Sequence, residues 1–499
     1  MLFNTLTYAY FFVAVFVASW LLAPWRRVRL ALLLGASYLF YAEWTFVGWE
    51  RILHVQGIER WAAVLQSIKY LPLLFVATSI DYWLGRALGR AEGRRARRAL
   101  LVGTICVNVG VLVFFKYWNW GADTFLWLAR VVFGVVLPDI HLRVELPIGI
   151  SFFCFMSLSY VVDVYRRTIP PCRSYLDYLT YISFFPHLIA GPIIRGRDLL
   201  PALARDARLT AQVGGEGLFL VAVGLFKKVV IGDYLALSLV DRVYAEPTLY
   251  SALEVLAATY GYAIQVYCDF SGYSDIAIGS ALLLGYRFRI NFDAPYKSQS
   301  IVEFWRRWHI SLSTWLRDYV YIPLGGSRRG RARKYANIMV TMLVCGIWHG
   351  AAWTYVVFGA LNGAALVVTH AVQERRRRRG RADGAASSFA VRLLCVGATF
   401  TFVAASFIFF RSGSLDKAWL MLGRLASLTF YHQNLHLSVM LVILGGLVLQ
   451  WVPRRFYDRA RAAFIAAPAP AQALALFGVA LALRLAATAE AVPFVYFQF

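Results

Sequence analysis

Charge is what this sequence has least of. Of its 499 residues only 16% are Asp, Glu, Lys or Arg, against about 25% in soluble domains. Hydrophobic residues reach 60%, and mean hydropathy is +0.58. A soluble core of this size has no room for so much apolar surface, so lipid must be the solvent. Acidic residues are scarcer still: 27 against 51 Lys and Arg, a formal net charge of +24. The basic residues form short runs between apolar stretches, the pattern of membrane-protein loops on the cytoplasmic side, so nucleic-acid binding is not expected. Cysteine is sparse as well. Six thiols, at 106, 154, 172, 268, 345 and 395, are scattered without a C-x-x-C pair. They read as small buried hydrophobes, and no metal site is expected. The first apolar run lacks a preceding basic region, so it reads as a retained span whose start faces outward.

Apolar stretches recur at about 8–24, 29–42, 70–85, 99–118, 146–164, 217–240, 253–285, 337–356, 358–373, 390–410, 437–453 and 472–489, near the length that about 30 Å of hydrocarbon requires. If each crosses once, the basic runs 26–29, 86–98, 166–173, 287–289, 375–381 and 454–461 all fall inside. The expected fold is all-α and polytopic, with about 11–13 transmembrane helices. Two stretches do not fit simple spans. Residues 175–197, with Pro186, Gly191 and Pro192, read as re-entrant or interfacial, which keeps the arginines after them inside. Residues 296–336, rich in Trp, Arg and Lys, read as an amphipathic helix at the cytoplasmic interface leading into a basic loop. No internal repeat or inverted pair of broken helices is visible.

No G-x-S-x-G, Walker loop or placed G-x-G-x-x-G occurs. Chemistry must therefore be sought where ionisable groups stand in lipid at a cost. The long span near 253–285 carries Gln265, Asp269 and Asp275. Six residues apart, the two carboxylates share no helical face unless Ser271-Gly272 breaks the helix and lets both line a cavity. The competing reading pairs them with neighbouring helices or with Lys227 and Lys228. His309 follows in FWRRWHIS, flanked by Arg306, Arg307 and Trp308, a setting that fits function and interfacial anchoring equally. His349, after Trp348 in GIWHG, stands about 18 Å into its span, near the midplane. Gly346, Gly350 and Ala351 leave room there for a ligand or another chain. A buried histidine is neutral by default, the state a general base needs. His187 in FFPHLIAGP is a weaker candidate. His432 and His436 have metal-compatible spacing but no third ligand, and His54, His141 and His370 stand out for nothing.

SFFCFMSLSYVVDVYRR (151–167), ISFFPHLIAGPIIR (182–195), QVYCDFSGYSDIAIG (265–279), FWRRWHISLSTWLRDYVYIPLGG (304–326) and GIWHG (346–350) together resemble the membrane-bound O-acyltransferase family. The likeness is to its bacterial alginate O-acetylation branch. SYLFYAEW (37–44), NVGVLVFFKYWNW (108–120) and FVYFQF (494–499) extend it over nearly the whole chain, while 43–70 is longer and more polar than that branch. The resemblance implies a single funnel-shaped enzyme domain over 1–499, with a catalytic half near 146–373 and C-terminal helices at 389–499. It implies an O-acetyltransferase in the cell inner membrane with no bound cofactor, taking an acetyl group from cytoplasmic acetyl-CoA. The group would pass to an extracytoplasmic acetyltransferase partner and so to an exported, alginate-like polysaccharide. The family's catalytic histidine falls on His349 and its second motif histidine on His309. Asp269, Asp275, Gln265, Trp308, Trp348, Arg306 and Arg307 are the expected substrate-binding residues. Cytoplasmic Arg and Lys near 287–334 are candidates for the CoA phosphates. The open alternatives are D-alanyl or other acyl transfer from a carrier-protein thioester, a transporter or channel, and a non-enzymatic scaffold.

Overall fold

The computed structural model describes residues 2–53, 68–142, 144–379, 388–486 and 494, for 43–53 and 485–486 the backbone alone. His54 and the rest of 54–67 in the polar 43–70 stretch, the end of the 375–381 basic run and all of FVYFQF except Phe494 lie outside the described residues. Every regular element among the described residues is helical. The chain divides into two compact units, Met1–Val213 with Ser280–Phe288, and Gly214–Gly279 with Arg289–Phe499.

The first unit contains α1 (Leu6–Leu21), α2 (Arg26–Leu53), α3 (Leu71–Arg90), α4 (Arg94–Leu112), α5 (Trp118–Phe133), α6 (Ile150–Tyr165), α7 (Tyr175–Ser183), α8 (Phe185–Leu188) and α9 (Gly196–Leu203). A π-helical turn at Val113–Tyr117 joins α4 to α5, making one apolar rod from Arg94 to Phe133. The arginines expected in cytoplasmic loops do structural work at helix ends. Arg97 is buried and donates to the carbonyls of Leu88 at 2.7 Å and Tyr165 at 2.8 Å, closing the C-terminal turns of α3 and α6. Arg29, also buried, donates to the Leu284 carbonyl at 2.6 Å and lies over the Trp20 ring. The 175–197 stretch is broken, as its prolines require. α7 stops at Phe184, α8 is one turn, and 189–195 runs buried without regular structure. His187 is enclosed there beside Phe184 and Phe288.

The second unit takes in most of α10 (Ala211–Leu225), π-helical segments at Phe226–Asp233 and Ala236–Val240, α11 (Asp241–Ala245) and most of α12 (Ala252–Leu283). It continues with α13 (Ile301–Arg307), α14 (Ile310–Leu316), α15 (Gly330–His349), α16 (Trp353–Arg378), α17 (Phe389–Arg411), α18 (Leu415–Ala426), α19 (Leu437–Trp451), α20 (Arg454–Ala466) and α21 (Ala469–Ala486). Glycine sets its closest contacts. A Cβ at Gly272 would lie 2.6 Å from the Gly224 carbonyl, and one at Gly279 2.6 Å from the Gly217 carbonyl. α10 and α12 therefore touch backbone to backbone, as small residues allow in helical membrane proteins. This corrects the expected break at Ser271-Gly272: α12 is one continuous helix of 32 residues, and the glycine serves helix contact. The expected amphipathic helix over 296–336 is corrected as well. It is divided into α13, α14 and a π turn at Arg317–Tyr321, with His309 at the first break.

Among the described residues three helical runs are long and apolar enough to cross a membrane: Arg94–Phe133, Trp353–Arg378 and Phe389–Arg411. α19 and α20 join them as a pair bent by 91°. The other apolar stretches form helices that are shorter, interrupted or charged. The protein is all-α and polytopic.

Candidate active site

His349 is the last residue of α15. The chain opens at Gly350, and α16 begins at Trp353 and returns along α15 as a hairpin with His349 at its tip. The two helices meet at glycine. A Cβ at Gly346 would lie 2.2 Å from the Tyr355 carbonyl and 3.1 Å from Gly359, and one at Gly350 would overlap the Tyr355 ring at 2.0 Å. The space that Gly346 and Gly350 appear from sequence to reserve for a ligand is filled by α16. His349 itself is 7% exposed. Its ring lies 4.9 Å from Trp348, 5.0 Å from Phe410 and 6.2 Å from Phe358, with the Cys345 sulfur 4.0 Å from Nε2.

His309 caps α14 from the left-handed region, φ 41° and ψ 57°, a conformation that a non-glycine residue holds only where its surroundings enforce it. It is fully buried, 4.6 Å from the Phe270 ring and 5.9 Å from Trp348. Trp348 thus contacts both histidines. Nδ1 of His309 lies 3.3 Å from Oδ1 of Asn291. Trp308, the neighbouring residue, packs on Phe292, Phe304 and Phe407 at 5.1 to 5.5 Å. Phe494 stacks on Tyr273 and touches Phe270, so this terminal aromatic belongs to the same wall.

A cavity of about 770 Å³ opens beside these elements, a volume within the range of small-molecule and cofactor sites. Its apolar lining includes Ile310, Ile338, Met342 and Leu366, and its charged lining includes Arg306, Arg317, Lys334, Arg377 and Glu374. Lys334, Ile338, Thr341 and Met342 lie on the face of α15 that continues through Cys345 to His349. From Met342 to His349 the rise is about 10 Å. Glu374 accepts from Lys334 at 2.6 Å across the base of the hairpin, and Arg317 pairs with Asp318 at 2.7 Å. With Arg306 and Arg377, four basic side chains stand against one acidic one in the lining, which suits an anionic ligand.

The acidic candidates stand elsewhere. Asp269 pairs with Lys228 at 2.5 Å, and Lys228 also binds Asp233 at 2.7 Å. Asp275 pairs with Lys227 at 2.7 Å, and Lys227 donates to Ser271 at 3.0 Å. The two carboxylates point from different sides of α12 to consecutive lysines, the packing alternative to a shared cavity. Gln265 is buried on the same helix. Of the arginine pair, Arg306 lines the cavity, while Arg307 is held by Glu303 at 2.9 Å and Asp293 at 3.3 Å. Arg317 and Lys334 fall within the basic stretch near 287–334 expected for the CoA phosphates, while sequence inspection missed Asn291, Arg377 and His370, all of which the fold brings to this region. The signal available for the basic ones was their clustering before and after α15; for Asn291 there was none. Among the described residues no group of three or more His, Cys, Asp or Glu could hold a metal ion.

Residues 165–407 match the membrane-bound O-acyltransferase family. A probable alginate O-acetylase of Azotobacter vinelandii is 41% identical over 84% of this chain and 77% of its own length. The chain belongs to this family. A probable alginate O-acetylase of Pseudomonas putida is 37% identical over the full length of both proteins. A peptidoglycan O-acetyltransferase of Helicobacter pylori is 32% identical over 84% of this chain and 78% of its own. The protein is therefore a membrane-bound O-acyltransferase. The matched segment of this acyltransferase contains both histidines and every residue named in the cavity.

Proposed function

We propose that this acyltransferase moves an acetyl group from cytoplasmic acetyl-CoA, across the inner membrane, to a hydroxyl acceptor for O-acetylation of an exported envelope polysaccharide. One observation carries the reading: a buried histidine stands at the tip of a helix hairpin whose own face leads to a cavity lined by apolar and basic side chains. Phosphates suit the basic side chains, and an extended acyl-thioester arm suits the wall of α15. The acetylases among the relatives support the acetyl group and the polysaccharide.

In the reaction, the acceptor oxygen attacks the thioester carbonyl as Nε2 of His349 takes its proton. The carbonyl–sulfur bond then breaks, and the proton passes to the leaving CoA thiolate. Acyl transfer from sulfur to oxygen is downhill, so the enzyme has to align and deprotonate. General-base catalysis supplies about 10²–10⁴-fold, and alignment in a confined site can add more. His309 holds the thioester end or its neighbouring groups. Asp269, Asp275 and Gln265 stabilise the surrounding helices. An extracytoplasmic partner protein receives or forwards the acetyl group.

The test uses inverted membrane vesicles, whose outer surface is cytoplasmic, supplied with acetyl-labelled acetyl-CoA. Label on lumenal acceptor is expected. Label that requires a carrier-protein thioester, or solute flux with no acyl turnover, would overturn the donor assignment or the reaction class, respectively.

A further inference from the structure

Asn291 holds a position that nothing in the reaction above uses. It is 1% exposed, in the irregular segment between α12 and α13. Its own backbone carbonyl accepts the Ile310 N–H at 2.9 Å, so it is tied to the first turn of α14. Its side-chain oxygen is the common acceptor of a small network. The backbone N–H of Ser311 reaches Oδ1 at 3.1 Å, and the Ser311 hydroxyl reaches it at 2.9 Å. Nδ2 donates to the Ser274 hydroxyl of α12 at 3.3 Å.

The backbone donor decides the orientation. An amide N–H can only donate, so the side-chain atom facing Ser311 must be the oxygen. That same oxygen lies 3.3 Å from Nδ1 of His309, and the Ser311 hydroxyl oxygen lies 3.4 Å from it. An amide oxygen has no proton to give. Nδ1 must therefore carry the hydrogen, and in the neutral ring Nε2 is the lone-pair nitrogen.

We infer that Asn291 is a positioning residue that fixes the Nδ1–H tautomer of His309, so that His309 serves the reaction through Nε2 as a hydrogen-bond acceptor rather than as a donor to the thioester carbonyl. The strained backbone of His309 fits this account, since the Asn291 contacts to Ile310 and Ser311 are what hold the turn in place. A neutral His309 in this tautomer cannot stabilise an oxyanion. It can take a hydrogen bond from an amide N–H of the donor or from the acceptor hydroxyl.

The inference rests on a reacting role for His309, so the experiment separates the two. Steady-state CoA release would be measured for His309→Ala, Asn291→Ala, the double variant and Asn291→Asp, across pH. Asn291→Ala is expected to lower kcat roughly 10²-fold with KM for acetyl-CoA unchanged, and to cost nothing further once His309 is Ala. Asn291→Asp keeps the acceptor for Ser311 and places a carboxylate on Nδ1–H. The imidazolium is then favoured, so the acid limb of the kcat profile should move to higher pH. The titratable groups on the elements packed around His309 include Asp269, held by Lys228, Asp275, held by Lys227, Asp293 and Glu303, held by Arg307, Arg306, and His349. None of these is altered by the variants. Should Asn291→Ala lose its fold, the near-isosteric Asn291→Asp carries the test. An unmoved pH profile with full activity would overturn the positioning role of Asn291, whereas full activity in His309→Ala would overturn the role of His309 itself.

Discussion

A single buried imidazole, His349, gains its role from what surrounds it rather than from its own sequence context. Three aromatic rings within about 6 Å enclose it, which sharpens its contact with any polar group that enters. At this scale Arg306 makes the clearest contrast with Arg307. One faces the cavity, and the other is held by two carboxylates. Arg306→Ala should therefore raise KM for acetyl-CoA about 10-fold, the order of one charge-assisted hydrogen bond, with kcat little changed. Arg307→Ala should instead lower thermal stability and leave KM alone. Initial-rate kinetics on the two variants would distinguish the assignments, and equal KM effects would contradict them.

Helix contacts give several polar residues that look functional a packing role. Lys227 stands opposite Asp275 and Lys228 opposite Asp269, across the glycine-mediated seam between the α10 region and α12. Breaking a buried pair by removing one partner costs about 3–5 kcal/mol, while replacing both charges is far milder. Lys228→Met should thus lower the melting temperature in detergent sharply. For the half-buried Lys227–Asp275 pair the loss is smaller, and Lys227→Met with Asp275→Leu should recover most of it. A double variant as unstable as the single one, or a donor KM that rises in step, would favour a substrate role for Asp275. The α15–α16 hairpin makes a second test. Gly346→Ala forces a methyl against the Tyr355 carbonyl, so a loss of about 1–3 kcal/mol is expected, read as a lower melting temperature. Elements of this kind were only partly legible in the sequence. Hydropathy and helix period reveal that 253–285 is helical, but they place GIWHG deep in one span over 337–356, where the chain instead ends a helix at His349 and starts another at Trp353. The period does not reveal whether a glycine marks a break, a ligand space or a helix contact, because all three need the same missing side chain. Asn291 was illegible for a different reason. Its function depends on a turn that brings it 18 residues back onto His309, and turns of that kind leave no periodic trace.

Across the whole molecule, composition fixed the class, membrane-embedded and helical, before any motif was considered, since 60% hydrophobic residues leave no soluble alternative. The +24 charge is used in at least two ways: Arg29 and Arg97 close helix ends, while Arg306 and Arg377 face the cavity. Outside the spans, His141 joins the loop after α5 to its own helix, with Nδ1 on Asp139 at 2.5 Å and Nε2 on Asp123 at 2.8 Å. The Asp139 contact, then that with Asp123, pushes the imidazole pKa up. A raised folded pKa means the stabilisation is complete below the ordinary histidine value and is lost as pH rises through the folded value. Hydrogen exchange over 134–142 should therefore quicken above that value beyond the intrinsic rate increase, and His141→Asn should abolish the transition. The central claim is tested most directly by free CoA release from acetyl-CoA, followed for purified wild type and His349→Gln in detergent with melting curves recorded alongside. The account predicts turnover in the wild type and none in a His349→Gln protein that melts at the same temperature. Undiminished turnover in that variant would contradict it.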